Sequence, residues 1–477
     1  MKRLVLVVSA ALALLGCAPP ARVVAPLRYA PVPRVEASEG ARPRPALAAV
    51  VDASDPVSPV ETLPNGLRIV VVERHDFPVV AAVLGVDRGG IDLDEPGSRA
   101  VSESTHLFSR GGDEALYEKT KDELVNTGAV WFAGQSSDAE WAGVKSAPSM
   151  LDRSIAILTE RCVRAKLSRA EYDHRSSELA AYARMGNASM IAAERSILFG
   201  EKHPYGYVLP GATPLSQERA QAIHDRLYQP TQATLVVVGD VTRDQVLASA
   251  SHWLGTWEGR EPLPKNQAEV PPLNGPRVVV VSRRGLAQMH GAVLSRGPDA
   301  SSEDALAFAV GAELVAGTAS SGLFSQLREE GAAYAVQVQT NFLRAATWMA
   351  IHVSYDREQA VKGTADVLAA IERMRSGKTT DDEVLAAREP LLARWRESMA
   401  TVDGAALEYT RSIALGIGTS FAVDYPARLA KVRREDVIRV AHEYLAAKSL
   451  HVVLMGEDRW LDVAPLGMGS VVNLPLR

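Results

Sequence analysis

The chain has 477 residues, more than one hydrophobic core usually serves, so two or more domains are expected. Hydrophobic residues make up 47% and charged residues 23%, the balance of an ordinary globular protein. A net charge of -5 and 6% aromatic content remove the two usual bases of nucleic-acid binding, a basic field and a base-stacking surface.

The chain opens with MKRLVLVVSAALALLGCAPP. Lys2 and Arg3 precede an apolar run from Leu4 to Leu15, which is too short to span a bilayer as a mature helix. The run closes in Leu14-Leu15-Gly16-Cys17, which resembles the lipobox of bacterial lipoproteins. That resemblance implies a signal peptide over residues 1–16, a lipidated Cys17 and a membrane-anchored place in the cell envelope. Ala18, where an aspartate commonly retains lipoproteins inside, favours the outer membrane, facing the periplasm. An ordinary cleaved signal or an uncleaved anchor is the alternative. Residues 17–60 hold nine of the 27 prolines and no helical or strand period, so they read as an extended tether. The second cysteine, Cys162, sits in the apolar pattern SIAILTERCV and reads as a small buried residue.

Beyond the tether the sequence repeats itself. Leu67 to Val72 (LRIVVV) is echoed by Pro276 to Val281 (PRVVVV), and AAVLGVDRGG, Ala81 to Gly90, by HGAVLSRGP, His290 to Pro298. The helical pattern LDRSIAILTERCVRAKLSRAEYDH matches TADVLAAIERMRSGKTTDDEVLAAR. Each half closes on a helix and a strand, AIHDRLYQPTQATLVVVGD in the first and VAHEYLAAKSLHVVLMGED in the second. The offset stays near 210 residues, and chance matches between apolar runs would not keep both order and spacing. Glu258 to Pro276, rich in proline and polar residues, reads as a linker. The fold expected is α+β: two homologous domains, residues 61–257 and 277–477, each a β-sheet with helices packed on one face. They are expected to be joined by a hinge and to face each other across a cleft.

LPNGLRIVVVERHDFPVVAAVLGVDRGG resembles the opening of the pitrilysin/insulinase-type zinc peptidases, which include the mitochondrial processing peptidases. FGEKHPYG, Phe199 to Gly206, and SGLFSQLREEGAAYAV, Ser321 to Val336, resemble later segments of the same family. The resemblance covers roughly residues 60 to 475 and implies two homologous domains enclosing a peptide-binding chamber.

The family's zinc motif, H-x-x-E-H on a helix, is missing. In the stretch SRAVSESTHLFSRGG, Val101 and Thr105 fall at the histidine positions and Ser104 at the general base. Histidines four apart share a helix face and can grip one metal. Valine offers no donor, threonine a poor one, and serine cannot take a proton from metal-bound water near neutral pH. Glu103 and His106 are three apart, but they point away from the face the family uses and read as a solvated or capping pair. Counting the family's spacing forward to its third ligand reaches Tyr182. Sliding one helical turn reaches Glu178, with Glu171 seven residues earlier. These acids are either remnants of the site or surface residues. No zinc or other cofactor is expected.

The second half keeps more. Arg328 and Tyr334 match the arginine and tyrosine with which the family holds substrate, with one residue fewer between them than is common. An internal salt bridge to Glu329, Glu330 or another acid is the alternative role for Arg328. Ala316 to Gly322 matches the glycine-containing loop before that segment. Three functions fit. The one favoured is a non-catalytic member that pairs with a zinc-bearing relative and helps bind peptide or unfolded polypeptide. The others are a stand-alone envelope binding or scaffold protein, and an active zinc endopeptidase with rebuilt ligands.

Overall fold

Near-continuous apolar strands need cover on both faces, and this requirement organises the molecule. The computed structural model describes residues 57–93, 97–182, 186–200, 202–206, 215–266, 269–273, 278–317, 322–329 and 331–475. The signal peptide, Cys17 and the tether as far as residue 56 lie outside the described residues.

The first half runs β1 (Glu61–Thr62), β2 (Arg68–Glu73), β3 (Val80–Val86), α1 (Gly97–Phe108), α2 (Glu114–Thr127), β4 (Val130–Gln135), β5 (Glu140–Ser146), α3 (Leu151–Leu158), α4 (Arg169–Tyr182), α5 (Gly186–Phe199), α6 (Gln217–Leu227), β6 (Ala233–Gly239) and α7 (Arg243–Leu254). The second half runs β7 (Val278–Ser282), β8 (Met289–Arg296), α8 (Asp304–Ala316), α9 (Gly322–Glu329), β9 (Ala333–Asn341), β10 (Trp348–Tyr355), α10 (Ala360–Arg375), α11 (Asp381–Ala400), α12 (Val402–Ala414), α13 (Thr419–Lys431), α14 (Arg434–Tyr444), β11 (His451–Gly456) and β12 (Val471–Pro475).

Each half builds a six-stranded mixed sheet. The orders are β1-β2-β6-β3-β5-β4 and β12-β7-β11-β8-β10-β9. Without their first-named strands the two sheets are the same: one parallel pair, β2 with β6 or β7 with β11, then antiparallel steps outward. The outermost strand differs. β1, from the start of the body, runs antiparallel to β2, whereas β12, from the end of the chain, runs parallel to β7. Val57 bridges to Val72, so the segment read as tether joins the fold slightly before residue 60.

Alternate residues of each strand serve different cores. Ile69, Val71, Ala82, Leu84, Leu235 and Val237 pack with α3, α6 and α7 of their own half. Their neighbours Val70, Val72, Ala81, Val83, Val236 and Val238 pack with Ala405, Ala406 and Tyr409 of α12, from the other half. The exchange is mutual. Met190, Ala193 and Ile197 of α5 pack on Val279, Ala292, Ala350 and Val453 of the second sheet. Each half thus lays its own helices on one face of its sheet and sends a helix to the far face of its partner's. The hairpin that does this in the second half is tight. Thr401 ends α11 and caps α12, its side chain accepting from Gly404 N. Gly85 on β3 lets α12 in: a Cβ there would lie 2.4 Å from Cγ2 of Thr410.

The segment expected to hinge is docked. Leu263 is 3% exposed in the first core. Its carbonyl accepts from Arg88 Nε at 2.6 Å, and Asn266 N donates to Asp92 Oδ1 at 2.9 Å. A buried polar clamp then locks the halves. Arg344, in the turn between β9 and β10, grips Asp92 with both terminal nitrogens, at 3.1 and 2.8 Å. Its backbone N–H donates to Asp138 Oδ2 at 2.9 Å. Tyr205 donates its hydroxyl to Asp138 Oδ1 at 2.7 Å and accepts from Ala345 N at 3.1 Å. Burial pushes the Asp138 carboxyl up and the Arg344 charge opposes it.

Candidate functional site

Helix α1 carries the positions that the family fills with zinc ligands. Ser104 is 1% exposed, and its hydroxyl donates to the carbonyl of Ala220 on α6 at 3.1 Å. Thr105 Oγ1 donates to Glu140 Oε1 on β5 at 2.5 Å. Val101 lies on α1, but its side chain is outside those described. Both described side chains therefore fasten α1 to its own half rather than face a ligand. Glu103 and His106 part company. Glu103 is buried at 1% exposure and accepts from Leu215 N at 3.1 Å, so it is not the solvated or capping residue expected. His106 turns to α4, with Nε2 3.6 Å from Glu178 Oε2. Its pKa falls to about 4, by burial first and then by Arg175, against the pull of Glu178.

On α4 the two candidate remnants separate. Glu178 lies at the surface, with its side chain 44% exposed and within 3.5 Å of His174 Nε2. Arg175 Nη1 donates to it at 2.5 Å and Arg175 Nη2 donates to Ser109 Oγ at 2.6 Å. Glu171 is fully buried, 3.9 Å from Arg110 and 3.8 Å from Arg175. Burial raises its pKa and the two arginines oppose the rise. Tyr182 is 37% exposed. Among the described residues no group of three or more His, Cys, Asp or Glu side chains is placed to hold a metal. Zinc does not fit this set. Valine carries no donor, the two hydroxyls are engaged with acceptors, and a guanidinium already sits on the carboxylate nearest the histidines.

Two features escaped the sequence. His106 and His174 lie 68 residues apart in the chain yet meet the same carboxylate, because α1 and α4 pack together. Glu140 is fully buried on β5 and its pKa is pushed up to about 7, by burial against hydrogen bonds from Thr105 and Tyr228. Its signal was the alternation in Glu140-Trp141-Ala142-Gly143-Val144, which sets the acid on the same inward face as Ala142 and Val144. Cys162 is buried, its thiol pushed up to about 12 by burial, and it is not a nucleophile at neutral pH.

The second-half candidates are exposed. Arg328 ends α9 with its guanidinium carbon 5.6 Å from the centroid of the Phe324 ring. It makes no ion pair among the described residues, which include Glu329 but not Glu330. Tyr334 is 57% exposed. It is a bulged residue of β9, since Ala333 pairs with Tyr355 and Ala335 with Ser354. An edge bulge re-aims its side chain. Of the glycine-containing loop, residues 318–321 lie outside the described residues.

Residues 214–391 match the family model described as the peptidase M16 inactive domain. Among solved structures, a protease from Helicobacter pylori superposes with a TM-score of 0.76 at 18% identity, over 84% of this chain and 99% of that one. A peptidase M16 inactive domain from Pseudomonas fluorescens gives 0.72 at 17% identity, over 84% and 98%. At such identities the likeness is one of fold. No curated protein matches the chain.

Proposed function

We propose that the chain is a member of the M16 peptidase family, whose inactive-domain model matches residues 214–391, and that it acts as a non-catalytic partner of a zinc-bearing relative, helping it to grip polypeptide. One contrast carries the reading. The described positions of the zinc motif, the general base at Ser104 and one ligand at Thr105, are spent on internal hydrogen bonds to Ala220 and Glu140. Arg328, on α9, and Tyr334, on β9, are exposed, and β9 is the last strand of its sheet among the described residues. A pair that shares one metal site needs zinc in only one member but a peptide grip in both. Arg328 can bond a peptide carbonyl or carboxylate, and the Tyr334 hydroxyl can donate or accept.

The test is co-expression with a relative carrying an intact H-x-x-E-H motif. The two chains should co-purify. Arg328→Ala or Tyr334→Phe should lower peptide turnover while leaving the complex whole. A relative that is fully active alone and does not co-purify would refute the pairing, as would unchanged turnover by both variants in an intact complex.

The lipobox-like Cys17 supports an envelope address for this partner, held through a lipid anchor on a proline-rich tether. Cys17→Ser should release the protein from the membrane fraction or leave it unprocessed. Normal processing and attachment of that variant would refute the anchor.

A further inference from the structure

A pocket of about 620 Å³ opens between the linker and the end of β8. Val270 and Leu273 of the linker and Ala345 and Ala346 of the β9–β10 turn give it apolar walls. Arg296, the last residue of β8, and Lys448, in the turn before β11, bring positive charge to it. None of its described lining residues belongs to α1, α4, α9 or β9, so it is separate from the degenerate zinc segment and from Arg328 and Tyr334.

The charge on Arg296 has no ionic partner among the described residues. Its Nη2 donates to the Pro271 carbonyl at 2.6 Å, and its guanidinium carbon lies 5.8 Å from the centroid of the Phe199 ring. Its Nη1 is buried and donates to nothing among the described residues. Burial alone lowers its pKa, to about 10, where a carboxylate neighbour would oppose the fall, so it stays charged at neutral pH. Trp348 stands opposite Arg296 in the β8–β10 register and so shares its face. Trp348 is 5% exposed, and its indole N–H also lacks an acceptor among the described residues. Lys448 is exposed and makes no ion pair among them either. Glu443, the acid on the described wall, is engaged: burial first, and then the hydrogen bond with Glu443, push the Tyr444 phenol up to about 12. Donors and positive charge thus gather at one place without an acceptor, whereas a half-buried arginine ordinarily has an anion beside it.

We infer that this pocket binds a small organic carboxylate, with its anionic head against Arg296 and Lys448 and its apolar body against Val270, Leu273 and Ala346. The planar fork of a guanidinium matches a carboxylate, and the apolar walls favour a ligand with an apolar body over a bare inorganic anion. The site draws on separate parts of the chain. Val270 and Leu273 come from the linker, Arg296 from the second sheet, and Phe199, beside the guanidinium, from α5 of the first half. An occupant would hold the linker to the second sheet, and binding should therefore raise the melting temperature and slow proteolysis of the linker. The inference stands apart from the peptide-binding reading.

The test titrates the full chain with phenylbutyrate, its neutral amide, acetate and inorganic phosphate by isothermal calorimetry at fixed chloride. Phenylbutyrate should bind about tenfold or more tightly than its amide, the difference expected when a charge-assisted hydrogen bond is lost. It should also bind about tenfold or more tightly than acetate, through the apolar walls. Arg296→Gln should weaken phenylbutyrate about tenfold or more and leave the amide unchanged. Lys448→Gln, at an exposed position that the fold does not depend on, should weaken phenylbutyrate about two- to fivefold.

An amide that binds as tightly as the acid would overturn the anion assignment. Phosphate that binds more tightly than phenylbutyrate would overturn the organic carboxylate. Phenylbutyrate binding that neither variant alters would overturn the site, and so would the absence of binding at millimolar concentration.

Discussion

Replacing Arg344 with alanine removes the cation that grips Asp92 across the buried seam between the halves. Asp92 and Asp138 are both 0% exposed at their side chains, and Arg344 is 14% exposed. The variant therefore strands two carboxylates in a site with little water to solvate them. Breaking a buried pair in this way costs about 3–5 kcal/mol, a large share of the ~5–15 kcal/mol by which a folded domain is stable. In urea, with a slope near 3 kcal/mol/M for a large chain, the midpoint should fall by about 1 M or more.

The loss should depend on pH, and its sign is fixed. Burial already holds the folded-state pKa of Asp138 above its unfolded value, and Arg344 opposes that rise. Without the arginine the pKa climbs further. A raised folded pKa contributes stability that is fully present below the unfolded value and is lost as pH rises through the folded one. The variant should thus come closest to the wild type under acid conditions and fall further behind as pH rises. Urea titration followed by tryptophan fluorescence at several pH values reads both effects. A midpoint within about 0.3 M of the wild type at neutral pH would refute the clamp.

Glu140→Gln should keep the contacts with Thr105 and Tyr228 while removing a titration. The wild type should lose on the order of 3 kcal/mol as pH rises from about 4.5 to about 7, and the variant should not, which thermal melts across that range would check. Gly85→Val should force α12 off the first sheet at Thr410, lowering stability by about 1–3 kcal/mol and raising amide exchange in β3. Joint substitution of Val101→His, Ser104→Glu and Thr105→His should yield no zinc at one equivalent by metal analysis. It breaks the bonds to Ala220 and Glu140, and Arg175 still occupies Glu178. Stoichiometric zinc in that variant would refute this account of the site.

Much of the fold was legible because its signals are local. Runs such as Leu235 to Val238 are buried on both faces, so they read as strands without any alternation, and their recurrence exposed the duplication. The break within LDRSIAILTERCVRAKLSRAEYDH was not legible. α3 passes into a wide turn over Thr159–Val163, and the chain leaves helix before α4, with no glycine or proline to mark the place. Its counterpart in the second half breaks at Gly377, with φ +74°, where a glycine does give the signal. The site was legible only as a loss. Valine in place of histidine shows from sequence alone, but that Thr105 bonds Glu140 depends on packing between residues 35 apart. The docking of residues 258–266 was hidden for the same reason, since proline-rich composition suggests a loose linker and the bonds to Asp92 and Arg88 depend on the fold.

The mutual exchange of helices has a consequence for how such a chain comes to exist and to fold. Two copies of a single half, each lending a helix hairpin to the other's sheet, would be a domain-swapped dimer, and one fused gene would preserve that arrangement. During synthesis the far face of the first sheet stays bare until α12 emerges, and Arg74 waits 325 residues for its contact with Met399. A fragment ending at residue 257 keeps that bare apolar sheet. It is expected to bind a hydrophobic dye and self-associate, and a monomeric, dye-silent fragment would show that the swap is dispensable.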